Sequence, residues 1–183
     1  MTATSTCVPT APEVTIDAPA DVRKRAQVDP SLMDAVLDDL ESVSLERLEA
    51  AISAGAARIA AMQCKWLMLL AEFAKRNGFD RWGMLPEHWL SWRCGLDRVT
   101  AREHLRIAKG LAELPITRDA FAQGRLSYSK VRAIVRVASA DDEQGWVDTA
   151  IGLPAARLAR LTGQYRTITR DLENEHTHKQ SLS

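Results

Sequence analysis

Four cations in the middle of this chain share one side of a helix. Arg98, Arg102, Arg106 and Lys109 are four, four and three residues apart, the spacing of neighbours on an α-helical surface. Ala101, Leu105, Ala108 and Ala112 make the opposite face, small and apolar, which should pack inward. A helix cationic on one side and apolar on the other suits a DNA groove or a phosphate backbone. A second polar group follows at Arg125, Ser127, Ser129, Lys130, Arg132 and Arg136. Serine hydroxyls and amides at a helix start are natural phosphate ligands. These ten residues are the candidate nucleic-acid contacts. The same charges would equally suit the solvated outside of a helical bundle.

No constellation of catalytic residues stands out in the chain. His88 and His104 stand apart, with no acid or cysteine at ligand spacing, and His176 and His178 lie in a polar stretch. No GxSxG, GxGxxG or phosphate-binding P-loop pattern occurs. Asp141, Asp142 and Glu143 look like acids at a helix start, and so do Glu41 and Glu46. Cys7, Cys64 and Cys94 are odd in number and form no CxxC, which argues against a disulfide framework or a zinc site. No catalytic residue, metal ligand, cofactor or small-molecule substrate is expected.

The 183 residues carry no formal net charge, but the balance is uneven. Residues 1–80 have 8 Lys/Arg against 12 Asp/Glu, residues 81–139 have 11 against 5, and residues 140–183 have 5 against 7. A basic middle between acidic flanks points to a polyanionic partner for the middle. The longest purely apolar run, Trp66 to Ala71, falls far short of the ~20 residues of a membrane span. The start of the chain has no apolar signal core. A cytoplasmic location without membrane contact is expected.

The elements that must position the cations are helices throughout. Residues 1–30 hold four of seven prolines and little that could be buried, so they are expected to be a disordered leader. Ser31 can cap a short helix to about Leu40, with Asp34 in its acidic first turn. Ser44 caps a longer one. From there apolar residues recur in alternating steps of three and four, at Leu45, Leu48, Ile52, Gly55, Ile59, Met62, Trp66, Leu69 and Phe73. This is a heptad seam on a helix that Asn77-Gly78 should end, about 48 Å long at ~1.5 Å per residue. Alanines beside the seam widen the apolar face, which suits packing within one bundle better than an isolated two-stranded coil. A homodimer through residues 45–73 is the alternative.

Shorter helices follow. One spans Glu87–Arg93 after Pro86, one runs from Asp97 to about Leu114, and one starts at Thr117 and ends at Gly124. Another goes from Ser127 to Ala138, and Asp141 and Pro154 open two more. No segment alternates as a strand does, so the fold class is all-α. Domain boundaries fall at 1–30 for the leader, 31–169 for the helical domain and 170–183 for a polar tail. Gly95 and Gly124 each sit between two helices, as a helix-turn-helix unit requires. His104 is the misfit in the first unit, standing where an apolar residue is usual, and Leu105 could replace it by a small rotation. Trp66, Trp89 and Trp92 are expected in the core, whereas Trp82 and Trp146, near helix starts, could be lids or interface anchors.

The segment His88-Trp89-Leu90-Ser91-Trp92-Arg93-Cys94-Gly95-Leu96 resembles the signature of domain of unknown function 222, the 13E12 repeat family. The likeness continues through Thr100-Ala101-Arg102, through Ile107 to Pro115, and through Ala120 to Arg132. It covers roughly residues 35–168 and is most specific over 84–139. Members of that family are actinobacterial and commonly carry an HNH endonuclease module after the helical region. The resemblance thus implies a DNA-linked setting and a truncated or free-standing member. His176-Thr177-His178 is not such a module, so no nuclease residue is carried over. The leading expectation is a non-catalytic DNA-binding or nuclease-accessory module. The rival is a protein-interaction or dimerisation module built on the long helix, with no nucleic-acid role.

Overall fold

The computed structural model describes residues 36–37 and 40–181, with side chains as far as residue 170. The expected leader, the Ser31 cap with Asp34, and the side chains of His176 and His178 lie outside the described residues. Among those described the protein is all-α, with no strand. The helices are α1 (Leu45–Lys75), α2 (Pro86–Cys94), α3 (Arg98–Glu113), α4 (Pro115–Ala122), α5 (Tyr128–Ile134), α6 (Glu143–Gly152) and α7 (Ala155–Ser181). A 3-10 turn at Asp80–Trp82 joins α1 to α2. No described helix is long and apolar enough to cross a membrane.

Local chemistry sets most boundaries. The Ser44 hydroxyl accepts from the Arg47 amide and starts α1. Asn77, at φ 55°, turns the chain away after it. Pro86 occupies the first turn of α2, and Gly95, at φ 67°, ends that helix. The Asp97 carboxylate accepts from the amides of Val99 and Thr100 and opens α3. One start differs from expectation: α4 begins at Pro115, not at Thr117. Leu114 has no side-chain acceptor to cap it. The acceptor comes from 26 residues away, where buried Glu143 takes a hydrogen bond from the Thr117 amide at 2.6 Å. Glu143 is therefore a cap that ties α6 to α4, and not a solvent-facing acid of its own helix. The last helix runs on through the segment marked as a polar tail, to Ser181.

Helix α3 is central: it packs on α1, α2 and α4, while α5, α6 and α7 pack on one another and α4 adjoins both groups. Leu67, Leu90, Ile107, Leu111, Phe121, Leu126, Ile134, Trp146 and Leu158 are all fully buried. Each such side chain contributes about 1.5–3 kcal/mol.

Three expectations about facing are corrected. On α1 the face turned to the core is Ala60, Cys64, Leu67 and Leu70, and the heptad seam points largely outward. Leu45, Ile52, Ile59, Met62 and Leu69 are between 66% and 80% exposed. Small residues let α3 and α4 come closer than the bulky seam would, and dispersion rewards the closer fit. On α3 the inward face is Ala101, His104, Ile107, Ala108 and Leu111, while Ala112 is exposed. With neighbours on more than one side, the helix buries a wider and rotated arc. Among the tryptophans, Trp146 belongs to the core, its indole N–H donating to Asp142, whereas Trp92 is exposed and meets Trp82 edge to face.

Gly95 and Gly124 both hold positive φ, but only one is crowded. A Cβ on Gly124 would stand 2.7 Å from the Ala57 Cβ and carbonyl oxygen, whereas one on Gly95 would meet nothing within 4 Å. Gly95→Ala is expected to cost only the left-handed conformation, about 1 kcal/mol. Gly124→Ala adds a backbone clash and is expected to cost about 3 kcal/mol, a Tm fall near 10 °C at ~2–4 °C per kcal/mol. Thermal melts of the two variants check this. Equal losses would show that the α1 contact does not constrain the turn.

Candidate nucleic-acid interface

Two separate stretches of sequence meet at one cleft. Arg102 and Arg106 reach it from α3, and Arg132 and Arg136 from α5 and the turn after it. Val99, Thr100, Glu103 and Tyr128 complete a lining that encloses about 470 Å³. Glu103 organises the arginines. It holds Arg106 through two bonds of 2.9 and 3.0 Å, with Arg136 at 3.2 Å and Arg132 at 4.0 Å. Arg106 also reaches the Arg132 carbonyl at 3.5 Å. Arg102 lies 3.7 Å from Glu87 of α2 and is the most exposed of the four. Two carboxylates, Glu103 within the cleft and Glu87 beside it, against four guanidiniums leave the cleft with a positive excess. Its arginines keep donors for a further acceptor, since each has five N–H groups in a fixed fork. The shared carboxylate holds those forks in place before any ligand arrives.

The remaining candidates lie elsewhere. Arg98 is exposed at the start of α3 and does not line the cleft. Lys109 lines a different groove, formed by the C-terminal half of α1, residues 77–87 and α3. The Arg125 guanidinium donates to Gln123. The Ser127 hydroxyl is occupied in capping α5, accepting from the Lys130 amide at 3.4 Å. Ser129 is exposed, and neither it nor Lys130 lines the cleft. Glu103, Thr100 and Tyr128 were not anticipated. Glu103 had a visible signal, standing three residues before Arg106 on the cationic face, at ion-pair spacing.

Beneath the cleft His104 is wedged between two rings, 5.1 Å from Trp66 and 5.2 Å from Tyr128, edge to face with both. It is buried, and its Nδ1 has no hydrogen-bond partner. Burial lowers its pKa from the ordinary 6.5, outweighing the charges of Glu103 and Asp97, which act to raise it. The Tyr128 hydroxyl is pushed up to about 12 by burial and by Glu103. Glu103 itself is held below the usual carboxylate range, chiefly by its bond to Arg106. Among the described residues no group of His, Cys, Asp or Glu is placed to hold a metal ion.

The fold and this site define a class: an all-α protein with an arginine cleft shared by two helix–glycine–helix segments. No protein-family model, no curated protein and no solved structure matches the chain.

Two of these groups, His104 and Glu103, make stability depend on pH in two windows below neutrality. Unfolded His104 binds a proton more readily than the folded form, so stability falls as pH drops below 6.5. Glu103 has a folded pKa below 4.5, and its contribution is lost as pH falls through that lower value. Denaturant titrations from pH 8 to 3 should show both losses. His104→Leu should flatten the first and Glu103→Gln the second. A His104→Leu profile identical to wild type between pH 7 and 5 would mean that the imidazole does not titrate against the fold.

Proposed function

We propose that the arginine cleft binds the phosphate backbone of DNA and that the chain acts as a non-catalytic DNA-binding or nuclease-accessory module. The observation that carries this reading is the convergence of Arg102, Arg106, Arg132 and Arg136 on one cleft, from two stretches about 30 residues apart in a segment of 11 Lys/Arg against 5 Asp/Glu. Guanidinium forks match phosphate oxygens two at a time, and such contacts supply most sequence-independent affinity. Arg102, Arg132 and Arg136 are the more exposed contacts. Arg106, held on two sides by Glu103, works mainly by positioning. The likeness of residues 84–139 to a family often joined to HNH endonuclease modules supports the same reading.

Three phosphate contacts imply a log–log salt slope of about −2.7, at ~0.9 per phosphate. Arg132→Ala with Arg136→Ala should flatten the slope by about two units, and Arg102→Ala alone by about one. Lys109→Ala, in the other groove, should change little. Fluorescence anisotropy with a labelled duplex at several salt concentrations reads all three. The reading fails if the protein does not bind at low salt, or if binding ignores the cleft arginines.

A further inference from the structure

Two tryptophans stand at the surface beside an arginine that the cleft does not use. Trp82 ends the 3-10 turn and Trp92 lies in the last turn of α2, and they are 45% and 57% exposed. Their rings meet edge to face, with centroids 5.7 Å apart. The Arg93 guanidinium lies 5.9 Å from the centroid of Trp82 and 5.3 Å from that of Trp92. Three exposed arginines adjoin the pair in sequence. Arg81 precedes Trp82, Arg93 follows Trp92, and Arg98 opens α3 beyond the Gly95 turn. Among the described residues none of the three is in an ion pair, whereas every arginine of the cleft is. The acids of the same stretch are engaged elsewhere. Asp97 caps α3, Glu87 pairs with Arg102, and Asp80 lines the groove of Lys109.

We propose that Trp82, Trp92 and Arg93 form a stacking platform for the unpaired bases of single-stranded DNA. The inference deepens the DNA reading and rests on it. Arg93 selects the ligand. A cation already sits on both rings, so a cationic ligand would meet its charge. A phosphate beside a stacked base would instead meet guanidinium donors that no carboxylate occupies. Stacking on an indole needs no particular sequence, because every base has a π-face. Inside a duplex those faces are covered by neighbouring pairs, so only an unpaired base can use the rings. The platform continues from the cleft. Trp92 and the cleft-lining Val99 are seven residues apart across the Gly95 turn, hence no more than about 25 Å apart at ~3.6 Å per residue. One DNA with a paired and an unpaired part can therefore engage both, its backbone in the cleft and its free bases on the indoles.

Fluorescence anisotropy of the full chain with a labelled duplex, and with labelled oligothymidylate of the same length, tests this. Oligothymidylate should bind at low salt and quench tryptophan emission. Trp82→Ala with Trp92→Ala should raise its dissociation constant at least about tenfold and leave duplex binding as it was. Phe at both positions should restore most of the affinity, since it keeps a ring. Arg93→Gln should flatten the single-strand salt slope by about 0.7, the value per phosphate. Helical circular dichroism and Tm should hold, because both indoles are already at the surface. If the double variant fails to fold, Trp92→Ala alone tests the more exposed ring. Oligothymidylate binding indifferent to the indoles, beside normal duplex binding, overturns this proposal alone. Oligothymidylate binding that needs the indoles, without duplex binding, upholds the platform and sinks the duplex reading of the cleft. No binding of either DNA overturns both. Quenching by a proline-rich peptide and not by oligothymidylate also overturns the proposal, and makes the rings a protein contact.

Discussion

The rotation of α3 about its own axis decides what the rest of the molecule can present, and His104 holds that rotation. Its ring stands edge-on between Trp66 of α1 and Tyr128 of α5, so three helices are registered on one side chain. An aliphatic residue would fill the space, but a flat ring between two rings also gains edge-to-face attraction. The cost is visible in a buried imidazole nitrogen without a partner. With His104 inward, Glu103 beside it turns toward α5 and meets Arg132 and Arg136. The same rotation sends Lys109 toward the neighbouring groove, which splits a cationic face that looks continuous on paper.

Around that axis polar groups act as ties between distant segments. Glu143 supplies to α4 the cap that Leu114 lacks. Asp142 accepts from the Trp146 indole and from the amide and hydroxyl of Ser139, fixing the entry to α6. Glu103 joins α3 to α5 through guanidiniums. Carboxylates of this kind add less net stability than apolar burial, because desolvation offsets the attraction. What they add is direction, since a hydrogen-bonded carboxylate tolerates few orientations of its partners. In the cleft this means guanidinium groups held in a fixed arrangement, with less side-chain entropy left to lose.

The long helix shows packing and patterning choosing different faces. Its seam has the larger side chains and the stronger period, yet the core takes Ala60, Cys64 and Leu67. Close approach explains the choice. Ala57 lies against Gly124, where even one added carbon would clash, and two backbones that near leave no room for Ile or Met. A bulky stripe left outside a folded domain is an apolar surface of the size that usually marks contact with another protein.

Much of the architecture was legible in the sequence because it is written locally. Ser44, Asp97 and Ser127 cap helices, Asn77, Gly95 and Gly124 take positive φ, and α1 spans nearly the expected residues. Each depends on groups within about one helical turn, so type and spacing suffice. Of the ten candidate contacts, tertiary structure gathered Arg102, Arg106, Arg132 and Arg136 and left the other six outside the cleft. The seam turned outward, Trp146 went into the core, Trp92 went to the surface, and Glu143 became the cap of another helix. None of these can be computed from one helix alone. A periodic pattern says that a face is apolar or charged, but which face is buried depends on how closely the neighbours can approach. That distance is set by side chains 26 to 67 residues away.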